Sequence, residues 1–586
     1  MNYNLNQISG KDEKKSTIAV LKKLLQLISH ERRNLLLAFM AMMINATLLL
    51  LSPLIIGHTI DTYINTKQFN GVLLYSGILL SMYLVTLLTG YLQTKLMGGV
   101  GQRTLYTLRN AIFSKLQDLP VAFFSQNKAG DLISRVNNDT DKLNQFFSQS
   151  LMQFLSSIFT MLGAGIFLLV INIKLGAATL APGAFILAFT VLVSAWVKKK
   201  NALNLKSVGN LSAGIQESLN NFKVIIAFNR RDYFRKRFDE TNSQNYKTAL
   251  GAGIANTIFV PVFGFFSSTA QIIVLLYGIH LISIAEFTIG LLISYLSYAV
   301  NFYNPLRQLA ALWSSFQVAM AGWDRISQIL ALENDLPVIA DNRLLQNPNL
   351  LSFRNVHFAY AGGEEILHNI SFNLEQGKTY ALIGPTGGGK TTTASLMARL
   401  YDTTKGEVLL NGKDIRSYSA EERSSQIGFI LQEPFLFTGT VKDNILYSNS
   451  AYKDYSNAQL EEVIKTAHLE DLLALFDKGL ETEVNSSSDN ISLGQKQLIA
   501  FMRAVLRNPQ LLILDEATAN IDTITEKLLS DILKKLPKET TLVIIAHRLN
   551  TIENADEIYF VNSGEVIKAG TLDHAMDMLL KGKRSS

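Results

Sequence analysis

Six stretches of this chain carry no Asp, Glu, Lys or Arg: Asn34 to Ile60, Gln68 to Thr94, Leu143 to Ile173, Leu175 to Val197, Thr248 to Ala285 and Phe287 to Leu306. A helix rises about 1.5 Å per residue, so each is long enough to cross the roughly 30 Å of hydrocarbon in a bilayer. Charged residues make up only 17% of the chain and hydrophobic ones 48%, a balance that places part of it in lipid. The spans pair through short connections, near Asp61 to Lys67, Ile173-Lys174 and Ser283 to Glu286, which hold few basic residues. The two long connections, Lys95 to Lys142 and Lys198 to Lys247, include Arg103, Arg109, Lys115, Lys198, Lys199, Lys200, Arg230 and Arg231. Basic residues mark the cytoplasmic side, so these connections and both termini are expected there. Both are poor in Pro and read as helices that continue past the bilayer and turn back. The candidate turns are Leu119-Pro120 with Val121 to Gly130, and Glu217 to Ile225.

Several function classes fall away on composition. The 586 residues contain no Cys, which excludes disulfides, thiolate metal sites and cysteine nucleophiles. The net charge of +6 invites a nucleic-acid reading, but the basic residues flank apolar spans, so no nucleic-acid partner is expected. Met1 to Ser16 is polar and lacks the apolar core of a signal peptide, and is expected to stay attached. Ile18, Leu21, Leu24, Leu25 and Ile28 then recur at helical spacing beside Lys22 and Lys23, the pattern of an amphipathic helix lying on a membrane. The polar residues in the spans, Asn45, His58, Gln153, Asn256, Gln271, Asn301 and Tyr303 among them, are uncharged. That argues against a proton relay and for hydrogen bonds between helices.

The second half changes character. Glu333 to Pro348 is a polar linker, and from Leu351 short strands alternate with helices, as in an α/β domain. Its chemistry centres on Gly384, Pro385, Thr386, Gly387, Gly388, Gly389, Lys390 and Thr391, which follow the apolar run Thr379 to Ile383 and lead into a helical stretch from Thr392. A strand, a glycine loop and a helix in that order let backbone N–H groups surround a polyphosphate, with Lys390 on the β- and γ-phosphates and the Thr391 hydroxyl on Mg²⁺. Downstream, Leu511 to Leu514 ends in Asp515 and Glu516. Asp515 is expected to hold Mg²⁺ through water and Glu516 to polarise the attacking water. Tyr360, at the end of the segment from Leu351, offers an aromatic face for adenine.

With these motifs in this order, nearly the whole chain resembles the ATP-binding cassette exporters of the six-helix half-transporter kind. The resemblance implies a polytopic all-α membrane domain with long cytoplasmic helical extensions, followed by an α/β P-loop NTPase domain. It divides the chain into residues 1–33 (cytoplasmic N-terminus and interfacial helix), 34–332 (membrane domain), 333–350 (linker) and 351–586 (nucleotide-binding domain). It also assigns Gln432 as the residue that senses Mg²⁺, Ala519 to Asp522 as the D-loop and His547 as the switch histidine on the γ-phosphate. Thr392 extends the phosphate-binding set, and ATP with Mg²⁺ is the implied ligand pair.

One motif departs from the family. The signature, usually LSGGQ, reads Ile491-Ser492-Leu493-Gly494-Gln495, and Asn485 to Ser488 replaces a segment that contacts the other subunit. Both changes lie on the face shown to a partner, whereas Glu516 and His547 are intact. This asymmetry resembles the catalytic-glutamate-bearing half of a heterodimeric bacterial exporter, whose partner keeps an intact signature. The rival expectations are a homodimer that tolerates Leu493, an importer, and an ATP-gated channel or regulatory membrane ATPase. The cargo, whether drug, lipid or peptide, is not encoded in any motif.

Overall fold

The computed structural model describes residues 3–5, 29–334, 336–341, 349–432, 434–447, 449–485, 491–515, 523–545, 552, 555–570 and 572–582. The amphipathic stretch expected over 17–30 lies almost wholly outside them. The chain packs as two units. One is helical and takes in Lys11–Leu116 and Gly130–Ala331; the other holds Leu332–Ser586 together with Met1–Gly10 and Gln117–Ala129.

In chain order the labelled helices before the linker are α1 (Arg32–Thr59), α2 (Phe69–Asp118), α3 (Val121–Gln126), α4 (Leu151–Ile171), α5 (Ile173–Asn220), α6 (Phe222–Ala227), α7 (Arg231–Thr257), α8 (Phe259–Ser283) and α9 (Ile289–Leu330). At 50 residues α2 is about 75 Å long, well beyond a bilayer, as expected for spans that continue into water. Among the described residues five helical runs are long and apolar enough to cross a membrane: Arg32–Ile64, Phe69–Asp118, Ala129–Ile171, Ile173–Asn220 and Arg231–Ser283. The sixth expected stretch, 287–306, falls mainly on α9, where Tyr295, Tyr298, Asn301, Tyr303 and Asn304 make the helix less apolar.

Those tyrosines hold the helical unit together. Tyr298 donates its hydroxyl to the Leu50 carbonyl of α1 at 2.6 Å, Tyr295 to Leu168 of α4 at 2.6 Å and Tyr303 to Thr179 of α5 at 2.7 Å. Leu50 and Thr179 each lie three residues before a proline inside a helix, Pro53 and Pro182. Proline interrupts the helical ladder and bends it locally, which opens neighbouring carbonyls to an outside donor. Near the same end of α9, Gly57 and Gly290 bring two helix backbones into contact: a Cβ on Gly290 would lie 2.1 Å from the Gly57 carbonyl oxygen. Asp61 seals the crossing, accepting from Thr288 Oγ1 at 2.5 Å and from the Gly290 N–H at 2.8 Å.

At the other end of α9 the joint is ionic. Asp139 is fully buried and pairs with Lys142 at 2.9 Å and Arg325 at 3.2 Å. Asp131 bridges Arg325 and Arg135, and buried Arg135 also donates to the Arg325 carbonyl at 2.7 Å. Buried charges persist only when paired in this way.

The α/β unit contains β1 (Asn349–Ala359), β2 (Glu365–Glu375), β3 (Thr379–Ile383), β4 (Lys405–Leu410), β5 (Lys413–Asp414), β6 (Ile427–Ile430), β7 (Gly439–Thr440), β8 (Glu483–Val484), β9 (Leu511–Asp515), β10 (Thr541–Ile545), β11 (Glu557–Asn562) and β12 (Glu565–Lys568). Six strands form one sheet in the order β12-β11-β3-β10-β9-β6, parallel except for β12, and β2-β1-β4-β5 form an antiparallel sheet. Along β9, Leu511 and Ile513 pack toward the antiparallel sheet while Leu512 and Leu514 join a helical core. The period of two explains why a strand buried on both faces is apolar throughout. Its helices include α10 (Lys390–Met397) and α11 (Leu493–Val505).

Gly290→Ala should force α1 and α9 apart, since the new methyl would meet the Gly57 backbone carbonyl as well as the Asp61 carboxylate. The expected loss is about 1–3 kcal/mol, read as a lower unfolding midpoint of the purified protein in detergent.

Candidate active site

Parallel strands in register end at one edge of a sheet, and that edge collects the functional side chains. Ile545 pairs with both Leu382 and Asp515, and Ile430 pairs with Leu514. Gly384, Asp515 and Gln432 therefore come from three strand ends that share one rim. This is where ligands bind in open α/β sheets.

The loop after β3 is shaped by glycine. Gly384, Gly387 and Gly389 hold φ values of 146°, 84° and 110°, a region that L side chains avoid. Space imposes the same choice: a Cβ on Gly384 would sit 1.9 Å from the Val561 carbonyl oxygen, and one on Gly388 2.6 Å from it. Lys390, the first residue of α10, is buried and turns its ammonium back onto the loop, to the carbonyls of Gly384 at 2.9 Å and Pro385 at 3.0 Å. The loop thus has a cation at its centre and a helix N-terminus below it, the two parts that a polyphosphate needs. Thr391 Oγ1 lies 3.4 Å from Asp515 Oδ1, and Asp515 is buried. Two hard oxygens side by side at the phosphate end suit Mg²⁺.

Tyr360 stands just beyond β1. Its hydroxyl lies 3.3 Å from Thr392 Oγ1, and its ring meets Tyr401 and Phe358 edge-on at 5.1 and 4.8 Å. Burial pushes the Tyr360 phenol above its ordinary pKa, so it stays neutral. The turn that carries it is closed at its base by Glu365, 2.6 Å from His357 Nδ1. That hydrogen bond, more than the weaker one from His368, holds the Glu365 carboxyl below its usual range. A cavity of about 760 Å³ opens beside Tyr360 and is walled by Tyr401, Thr403, Ala122, Ser125 and Gln126.

The altered signature is a helix start. Ser492 caps α11, accepting from the Gln495 N–H at 3.1 Å while Gln495 Oε1 accepts from the Ser492 N–H at 3.0 Å. Leu493 is the first helical residue and is 44% exposed. Farther along, Arg503 reaches the segment beyond Gln432, donating to Asn444 Oδ1 at 3.0 Å and the Phe435 carbonyl at 3.1 Å, with its guanidinium over Tyr447. Glu516, Ala519 to Asp522 and His547 lie outside the described residues, as does Ser486 to Ser488.

Known families match on both sides of the linker. The model of the ABC transporter transmembrane region matches residues 35–306, and the ABC transporter model matches residues 367–519. An uncharacterised ABC transporter ATP-binding protein of Bacillus subtilis, YfiC, is 32% identical over 95% of this chain and 92% of its own length. The chain belongs to the ABC transporter family. A fatty acid ABC transporter ATP-binding/permease protein of Mycobacterium bovis is also 32% identical, over 86% of this chain and 79% of its own. A multidrug resistance ABC transporter of Lactococcus lactis subsp. cremoris is 29% identical over 96% and 95%. As an ABC transporter, the protein binds ATP and hydrolyses it in step with transport, and its helical unit is a multi-pass membrane domain.

Of the expected residues in this ABC transporter, Tyr360, Gly384 to Thr392, Gln432, Asp515 and Ser492 to Gln495 lie within the described residues. Tyr401 and Arg503 escaped the sequence reading. Each left a trace: an aromatic just after the α10 segment, and a cation among the apolar residues Ala500, Met502 and Leu506, of which the last two are buried.

Gly384→Ala should strongly weaken nucleotide binding, because the new methyl would clash with the Val561 carbonyl of β11 and lift the loop off the strand end. Titration with a fluorescent ATP analogue should show at least a roughly hundredfold weaker affinity, the equivalent of about 2.8 kcal/mol.

Proposed function

We propose that this chain is one half of a dimeric exporter of hydrophobic or amphipathic molecules, and that its partner is a different chain with an intact signature. One observation carries the reading: a complete phosphate loop with Lys390, Thr391 and Asp515 shares a domain with a signature whose first glycine is an exposed leucine. Mg²⁺, when bound, would neutralise charge that develops on the phosphates. Thr391, Asp515 and Gln432 are the residues to hold it. Tyr360 stacks on adenine, the loop N–H groups and Lys390 bind the phosphates, Glu516 orients water, and His547 reads the γ-phosphate.

The need for a second subunit is supported by uncovered apolar surface in each unit. Phe222, Val224 and Phe228 lie exposed around α6. In the α/β unit Leu431, Phe435 and Tyr447 lie exposed along a groove that Arg503 also lines. The apolar span of α2 buries none of its residues within the chain. Lipid covers part of such a surface, and a partner's helices and turns cover the rest. In an ATP-bound dimer the signature of each subunit caps the nucleotide of the other, so Leu493 weakens the site built on the partner's loop and leaves this chain's own loop untouched. Closure favoured by ATP and reopening after hydrolysis alternate the access of the spans. Export is supported by the relatives named for multidrug resistance and for flipping lipid A-core; the long basic connections support a cytoplasmic ATP-binding domain at a bacterial membrane. The uncharged spans suit amphipathic cargo.

The test is ATPase activity in lipid, for the chain alone and with the cassette protein that co-purifies from its native membrane. Low activity alone, rising with the partner, supports the heterodimer, and full activity alone overturns it. In the active complex, Glu516→Gln should cut turnover by about 10²–10⁴-fold and leave ATP binding intact. Leu493→Gly alters only the site built on the partner's loop, so turnover at this chain's own loop should stay within about twofold of the parent.

A further inference from the structure

Residues 3–5 are buried against residues far away in the sequence. Tyr3 and Leu5 are 0% and 1% exposed, although the N-terminal stretch that holds them is mostly polar. The Tyr3 N–H donates to Gln126 Oε1 at 2.8 Å, and the Leu5 N–H to Asn127 Oδ1 at 3.2 Å. Asn127 returns the contact, its Nδ2 donating to the Tyr3 carbonyl at 2.9 Å and to the Phe123 carbonyl of its own helix at 2.8 Å. One carboxamide thus reads both backbone groups of the passing segment, much as a neighbouring strand would. The Tyr3 ring packs edge-on against buried Phe123 with centroids 6.2 Å apart, and its hydroxyl donates to the Glu333 carbonyl at 3.0 Å. A single side chain therefore ties α3 to the start of the linker, across 330 residues of sequence.

The other side of α3 faces the nucleotide site. Ala122, Ser125 and Gln126 form a wall of the cavity beside Tyr360, and Gln126 belongs to both contacts. A helix of six residues has little stability of its own, so what packs on it decides where that wall stands.

We propose that residues 3–5 are a strap that fixes α3 and the linker as one body and so holds the wall of the adenine-side cavity, with Tyr3 a positioning residue for base binding. This rests on the reading of Tyr360 as the residue that stacks on adenine. The contacts of Tyr3 and Leu5 with Gln126, Asn127, Phe123 and Glu333 reach the wall beside Tyr360, so the expected effect is on the base side.

ATP and inorganic tripolyphosphate, which lacks the base, separate that effect from general damage. Their equilibrium binding is measured on the full chain in lipid nanodiscs. Tyr3→Ala should weaken ATP about three- to tenfold and tripolyphosphate less than about twofold, and Tyr3→Phe, which keeps the ring against Phe123 but loses the bond to the linker, should fall between Tyr3→Ala and the parent for ATP. Unchanged ATP affinity, or equal weakening of both ligands, overturns the strap. Tyr360→Ala, run alongside, tests the stacking itself: if it leaves ATP affinity intact while Tyr3→Ala lowers it, the stacking residue is wrong and the strap survives. Should Tyr3→Ala not fold, hydrogen exchange of the unaltered protein decides. ATP should slow exchange at the Tyr3 and Leu5 amides more than tripolyphosphate does, and identical exchange with the two ligands overturns the proposal.

Discussion

The α/β unit depends on how closely the phosphate loop can approach β11. The Val561 carbonyl stands where a Cβ on Gly384 or Gly388 would be, so the loop lies flat against the strand end. Only with that approach does Lys390, at the start of α10, turn its ammonium to the centre of the loop rather than outward. Pairing of β3 and β9 with β10 between them fixes the end of β3 relative to β9, and hence Thr391 relative to Asp515. Glycine here supplies room as well as conformational freedom, which is why several glycines recur within a few residues.

In the helical unit the governing constraint is different. Hydrocarbon supplies no hydrogen bonds, so polar groups must find partners within the protein. The tyrosines of α9 meet this by donating to backbone carbonyls of three other helices, two of them beside prolines that loosen the local ladder. Each such bond joins an uncharged donor to an acceptor that is always present, which links helices without the desolvation cost of an ion pair. Where the joint is ionic, at Asp131, Arg135, Asp139 and Arg325, it lies in the long extension instead of a span, and the charges form a connected set. Uncharged spans and a charged joint beyond them are two answers to the same dielectric problem.

Much of the fold was legible because it obeys local rules. Uncharged runs of twenty residues or more marked the long apolar helices, except that the sixth falls on the less apolar α9, and a glycine loop between an apolar run and a helical one marked the candidate nucleotide site. Tertiary contact was not legible in the same way. Tyr303 was singled out as a polar group between helices, yet its carbonyl partner near Pro182 could not be named from sequence, since backbone acceptors carry no residue identity. Tyr3 gave no signal because its burial depends on Phe123 and Glu333, far away in the chain. Tyr401 resembles any aromatic at the end of a helix until its ring is set against Tyr360. Patterns report an element's own faces; they are silent on which element covers them.

The signature helix shows why a change at one glycine need not damage the fold. Ser492 and Gln495 form a reciprocal cap that satisfies two N–H groups at the start of α11, and helices that begin with such a cap gain about 1 kcal/mol from it. Leucine at the first helical position is a good helix former, so Leu493 costs the isolated chain nothing; its side chain simply points into solvent. The penalty arises only when a phosphate must approach the helix N-terminus. The Ser492 hydroxyl must then serve the ligand as well as its own helix, and the backbone beside Leu493 is screened by a side chain that glycine would not have. Under the proposed heterodimer, a substitution with no cost in the monomer and a cost at a shared site is tolerated because the other subunit supplies the capping surface for the catalytically complete site. On that reading the paired state, and not the single chain, is the unit on which this sequence is constrained.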